Sequence, residues 1–204
     1  LTVVADATVT FVGMKLGLVT GVGRRYSGKI YFNDLQIPKE VYQSMTATCH
    51  NIHLAELHSL LGERDTHAHK GDFGHVLIIG GNKGMAGSVM LAGEAAARTG
   101  CGLVSVATIM QHAGIAANSC REVMVHGVED PQELASLLKP ATVLAIGPGL
   151  GQNQWAKNIF ARILEFDLPL LLDADALNLL AKDPLQKSSW ILTPHPGEAA
   201  RLLN

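Results

Sequence analysis

The chain has 204 residues, of which 48% are hydrophobic and 17% charged, which is ample material for a buried core. Sixteen Lys and Arg against 18 Asp and Glu leave a net charge of −2, which gives no support for a nucleic-acid partner or an anionic membrane surface. No apolar run reaches the ~18 residues a membrane helix needs, no charged-then-apolar leader opens the chain, and Cys49, Cys101 and Cys120 fall in no metal-like spacing, reading instead as free thiols of a reducing cytosol.

Residues 8–12 and 29–32 are β-rich and predict two strands. Between them Gly21 and Gly23 begin a GxGxxG pattern that Tyr26 breaks, so turns between strands are expected there. Residues 38–66 change character. Leu54, Leu57, Leu60 and Leu61 form one apolar face of a lead-in helix, and His50, His53 and His58 read as solvated linker histidines in preference to metal ligands. This stretch reads as a linker between two domains.

Residues 67–106 are the organising stretch. Residues 75–79 are an apolar β-branched run, 80–87 a glycine-rich loop, 88–99 a helix of small residues, and 103–106 a second strand. Together they predict a βαβ unit with a helix N-terminus and bare backbone N–H groups at a strand end, an arrangement that favours an anion. Residues 111–128 resist placement. Helices are predicted over 131–138, 152–166 and up to 181, strands over 142–146, 169–172 and 190–193, and a final helix from Gly197. Apolar strands alternating with helices predict an α/β fold, a parallel sheet flanked by helices. The chain starts at Leu1 and stops at Asn204 inside a helical pattern, so a fragment is expected.

The loops GGNKGMAGS, GPGLGQN, DADAL and TPHPGE each follow a strand and precede a helix, so they share the carboxyl edge where such sheets bind ligands. The first is not a Walker A loop, because no Lys stands between Gly87 and Ser88, and neither glycine loop completes GxGxxG. Each is open to two readings, a tight strand-to-helix turn or a close approach of backbone to ligand. Asp173 and Asp175 could hold Mg²⁺ through water, with a helix cap the favoured reading for Asp175. His195 stands between two prolines at a helix start, which fixes its backbone and favours a neutral, hydrogen-bonding imidazole that contacts a ligand.

HKGDFGHVLIIGGNKGMAGSVMLAGEAAARTGCGLV, IGPGLG, LLDADALNLLA and TPHPGEAARLL, in this order, resemble the NAD(P)H-hydrate dehydratase family, which has a ribokinase-like fold. The resemblance covers residues 57–204. Residues 5–38 resemble the tail of the NAD(P)H-hydrate epimerase domain, which many bacteria fuse before the dehydratase. The resemblance therefore implies an epimerase tail over 1–38 carrying the last strands of a Rossmann-like domain, a linker over 39–56, and an incomplete ribokinase-like domain over 57–204. It also implies nicotinamide-nucleotide repair: the epimerase interconverts R and S hydrates, and the dehydratase converts the S hydrate to NAD(P)H with ADP or ATP and Mg²⁺. Phosphorylation of the hydrate hydroxyl and loss of phosphate would restore the double bond.

Carried over by motif, Gly87 and Ser88 (where the family often has Ala), Gly149, Gly151 and His195 would bind the substrate. The family's catalytic Asp belongs to a GxGD loop expected beyond Asn204, so no catalytic residue and no metal ligand is assigned. The epimerase's catalytic Asp and its potassium ligands are expected before Leu1, so this chain alone is expected to be inactive. The resemblance further implies a cytoplasmic homo-oligomer whose partners are NAD(P)H hydrate and an adenine nucleotide. Two other readings stay open. A ribokinase-like kinase for a small alcohol would turn over that alcohol in preference to the hydrate, and a non-catalytic nucleotide-binding module would bind without turnover.

Overall fold

The computed structural model describes residues 2–47, 49–58 and 62–203, with backbone alone at His58, Ile115 and Ala117. Backbone contacts divide the chain into two units, Leu1–Arg64 and Asp65–Asn204.

In the first unit the two expected strands, β1 (Ala7–Phe11) and β2 (Lys29–Asn33), pair in parallel, from Ala7 beside Lys29 to Phe11 beside Asn33. A parallel pair needs a crossover, and here it contains two one-turn helices, α1 (Leu16–Val19) and α2 (Gly23–Tyr26), where the sequence predicts turns. Ser27 ends α2 by donating its hydroxyl to Gly23 O at 2.8 Å, and Thr8 Oγ1 donates to Ser27 O at 2.6 Å, which ties that end to β1. Two further short helices follow, α3 (Lys39–Gln43) and α4 (Leu54–His58). Leu54 and Leu57 of the expected apolar face are exposed, and Leu60 and Leu61 lie outside the described residues. His50 and His53 are exposed, and Cys49, Cys101 and Cys120 are free thiols.

The second unit is a parallel sheet flanked by helices. In chain order it contains β3 (His75–Ile79), α5 (Ala86–Arg98), β4 (Leu103–Thr108), α6 (Met110–Ala117), β5 (Met124–Gly127), α7 (Leu134–Leu138), β6 (Val143–Ile146), α8 (Gln154–Leu164), β7 (Leu170–Leu172), α9 (Asp175–Leu180), β8 (Trp190–Leu192) and α10 (Pro196–Leu203). The strands lie side by side as β5-β4-β3-β6-β7-β8, all parallel. The stretch over 111–128 thus resolves into most of α6 and an edge strand.

Period-two alternation on β3 divides the core. Leu77 and Ile79, with Leu144, Ile146, Leu170 and Leu172, bury one face against Ile159, Phe160 and Ile163 of α8 and Ala176, Leu177 and Leu180 of α9. Ile78, Val104 and Val106 bury the other against Val89 and Met90 of α5 and Ala116 of α6. Each fully buried Leu or Ile contributes roughly 1.5–3 kcal/mol, so both faces hold the strands that carry the loops.

The same sheet buries His75 at the amino end of β3 and half-buries His126 on the edge strand β5. His75 Nε2 lies 2.8 Å from Ser105 Oγ, while its Nδ1 is buried without a partner. Burial and the nearby His126 lower the His75 pKa, and burial lowers that of His126.

Candidate functional site

From β3 the chain winds to one side through β4 and β5, and from β6 to the other through β7 and β8. The switch point lies between β3 and β6, where α/β sheets open a ligand crevice. Here the two glycine loops meet backbone to backbone. Gly81 N–H donates to Pro148 O at 3.0 Å, and Asn82 N–H donates to Gly149 O at 2.6 Å. The packing leaves no room for a side chain at several of these glycines. A Cβ at Gly147 (φ +132°) would lie 1.7 Å from Asp173 O, and one at Gly149 (φ +61°) would lie 2.2 Å from Ser88 Oγ.

Side chains lock this junction. Asn82, buried to 5% exposure, donates through Nδ2 to Leu150 O at 2.8 Å and to Asn153 Oδ1 at 2.9 Å. Asn153 Oδ1 also accepts the Ala156 N–H at 3.0 Å and so caps α8. Behind the loop, Thr108 Oγ1 and His112 Nδ1 both reach Gly81 O, at 2.7 and 2.9 Å. A carbonyl only accepts, so the His112 proton resides on Nδ1.

The loop after β7 turns sharply at Ala174, whose φ of +47° ends the strand, so Asp173 and Asp175 do not continue along one strand face. Asp175 Oδ2 accepts the Gly151 N–H at 2.9 Å and makes no cap of its own helix, contrary to the expected cap, because the neighbouring glycine loop offers a nearer donor. Asp173 Oδ1 accepts from the Thr193 hydroxyl at 3.0 Å, linking the loop after β7 to the one after β8. Among the described residues no group of three or more His, Cys, Asp or Glu is placed to hold a metal ion.

His195 closes the series. Its Nδ1 accepts the Gly197 N–H at 3.0 Å. Glu198, buried to 7% exposure, accepts the His195 N–H at 2.9 Å, and its other oxygen lies 3.3 Å from His195 Nε2. This is a reciprocal cap of α10, with Pro196 at the first helical position. The sequence does not indicate that both ring nitrogens have partners within the chain.

Of the expected substrate residues, Ser88 and Gly149 are brought into contact, and Ser88 donates to Met85 O at 2.8 Å. Gly151 lies against the Asn82 amide. Gly87, in the first turn of α5, faces open space. That helix has 13 residues, no capping side chain and no acid in its first turn, whereas α8 is capped by Asn153, and α9 and α10 carry Asp175 and Glu198. The N-terminal N–H groups of α5 are therefore uncommitted beside Gly149 and are suited to an anionic or carbonyl oxygen. Asn82, Asn153, Thr108, His112 and Glu198 escape the sequence reading. Of these, Asn153 alone carries a local signal, an Asn just ahead of a helical pattern.

Residues 76–204 match the family model for NAD(P)H-hydrate dehydratase. The bifunctional NAD(P)H-hydrate repair enzyme Nnr of Coxiella burnetii is 47% identical over 199 residues, covering 98% of this chain and 41% of that protein. Thus the chain spans about two-fifths of that relative's length. A hypothetical protein of Streptococcus mutans superposes with a TM-score of 0.66 at 33% identity, covering 71% of this chain and 54% of the other. The ADP/ATP-dependent NAD(P)H-hydrate dehydratase of Bacillus subtilis, co-crystallized with ATP/Mg²⁺, does so with a TM-score of 0.59 at 34% identity, covering 69% and 50%. The model match spans well over half of the chain and takes in all four edge loops, so this chain belongs to the NAD(P)H-hydrate dehydratase family, on a ribokinase-like fold.

Proposed function

We propose that the protein to which this chain belongs repairs damaged nicotinamide nucleotides, dehydrating the S hydrate of NADH or NADPH at the expense of ADP or ATP. The observation that carries this reading is the junction at the switch point, where two glycine loops are pressed together beside the open N-terminus of α5. A flat, polar ring fits against bare backbone better than against side chains. Gly87 leaves room for that ring, the α5 N–H groups orient its polar substituents, and Gly149 and Gly151 form the opposing wall. His195, held by Glu198, fixes the fourth side.

The nucleotide supplies a phosphoryl group that turns the hydrate hydroxyl into a leaving group, and Mg²⁺ screens its charge. Asp173 is the carboxylate suited to that ion, because Asp175 and Glu198 are engaged with Gly151 and His195 while, among the described residues, only Oδ1 of Asp173 has a side-chain partner, Thr193. Mg²⁺ needs only one or two protein carboxylates when phosphates and water complete its shell. The same proposal includes an epimerase tail over 1–38 with a potassium-dependent partner activity, a linker over 39–56, the dehydratase part from residue 57, and a homo-oligomeric assembly.

The test is turnover by the whole protein. Supplied with ADP or ATP and Mg²⁺, it should regenerate NADPH from the S hydrate and leave small alcohols unphosphorylated. Faster turnover of a hydroxymethyl-pyrimidine or a sugar would assign a kinase instead.

A further inference from the structure

Beside the glycine loops, a recess gathers two cations and two carboxamides. It measures about 530 Å³ and is walled by Gln152, Asn178, Ala181, Lys182 and Arg201. Lys182 Nζ donates to Gln152 Oε1 at 2.6 Å, and Arg201 Nε donates to Asn178 Oδ1 at 2.9 Å. Lysine and arginine are donors only, so each amide must turn its oxygen to the cation and its NH₂ away. One acceptor position of each amide oxygen is thereby taken by a cation. The donors facing outward are the other ammonium N–H bonds, the guanidinium Nη groups and two amide NH₂ groups.

Charge points the same way. Among the described residues neither Lys182 nor Arg201 pairs with a carboxylate, and no carboxylate lines the recess. The acids on the same helices are committed elsewhere, Asp175 to Gly151 N–H and Glu198 to His195. Lys182 and Arg201 bring two cations to a recess whose lining holds no carboxylate, a local positive field that an anion relieves. A lining with two cations, two amide NH₂ groups and no carboxylate complements a ligand rich in acceptors, and phosphate oxygens meet that condition. The volume admits more than one phosphoryl group.

We propose that this recess binds a diphosphate group, either free or as the bridge of a nucleotide. The proposal is independent of the dehydration reading, since a diphosphate binds here whether or not water is removed elsewhere.

The test is calorimetric titration of the whole protein with sodium pyrophosphate at about 50 mM salt, where screening is modest. The wild type should bind saturably, and the affinity should fall about tenfold in Lys182→Met and in Arg201→Met. Gln152→Glu, an exposed change that sets a carboxylate against Lys182, should abolish binding, while Lys157→Met on α8 should leave it intact. Arg201→Lys should recover part of the loss, separating charge from a folding defect, and thermal melts of every variant check the fold. Competition by NADPH would assign the bridge of a dinucleotide as the occupant, and binding without competition would assign a free diphosphate. No saturable binding up to ~10 mM pyrophosphate, or equal affinity in Gln152→Glu and wild type, would overturn the proposal. Either failure would leave hydrate turnover by the whole protein untouched, so the two readings are distinguishable.

Discussion

The side-chain amide of Asn82 donates to Asn153 Oδ1 at 2.9 Å, joining the loop after β3 to the cap of α8 across 71 residues of sequence. The same amide holds Leu150 O at 2.8 Å, and Asn82 Oδ1 accepts the Lys83 N–H at 2.7 Å. One buried residue thus fixes both glycine loops. Asn82→Ala leaves those buried groups unpaired and should cost about 2 kcal/mol of stability in denaturant unfolding. Asn82→Asp should cost more, because it sets an anion against Leu150 O and Asn153 Oδ1. A change below about 0.5 kcal/mol for both would contradict the role assigned to this amide.

Gly149 faces Ser88 and Met85, and any Cβ there is doubly opposed. It would lie 2.2 Å from Ser88 Oγ and 2.7 Å from Met85 Cβ, on a backbone at φ +61°. Gly149→Ala should destabilise by at least about 1 kcal/mol from backbone conformation alone, with the clash added. Combining it with Ser88→Ala removes the closer contact but not the φ strain, so the double variant should recover only part of the loss. Full recovery would show that the left-handed backbone carries no cost here.

The cap at His195 separates stability from binding. His195→Ala loses the acceptor for Gly197 N–H and should cost about 1 kcal/mol. His195→Asn supplies a capping oxygen of similar reach and should melt near the wild type. If the imidazole also meets the substrate, the Asn variant should still lose affinity for the hydrate, and this split between melting and binding is the informative readout.

The sheet histidines set an acid limit. Burial, and for His75 also the proximity of His126, holds both pKa values below 6.5 in the folded chain. The unfolded chain therefore takes up protons first as pH falls, so stability is full above the unfolded value and is lost progressively below it. The melting temperature should drop between about pH 7.5 and pH 5, and the drop should shrink in the His75→Gln/His126→Gln double variant. An unchanged pH profile in that variant would assign the acid sensitivity to other groups.

Long apolar runs and the loops that end them made the second unit readable. Residues 75–79 and 142–146 are strands under any register, because parallel strands covered on both faces are apolar throughout. The elements that resisted, α6 and β5, are short and carry weak periodicity. Small residues dominate Met110–Ala117, and Met124–Gly127 places His126 on an edge strand. The site was legible as loops but not as bonds. Nothing local in Gly-Gly-Asn says that its amide reaches Asn153, and nothing in Asp-Ala-Asp says that Asp175 turns to Gly151 instead of its own helix. Those choices are made by which loop lies nearest once the sheet has formed.

The central claim is that the loops after β3, β6, β7 and β8 receive the hydrate. Hydrogen–deuterium exchange of this chain with and without the S hydrate of NADPH tests it most directly. The account predicts slower exchange on binding at residues 81–88, 149–151 and 195–198, with the amino ends of the strands unchanged. Protection confined to the opposite edge of the sheet, or none at saturating hydrate, would contradict it.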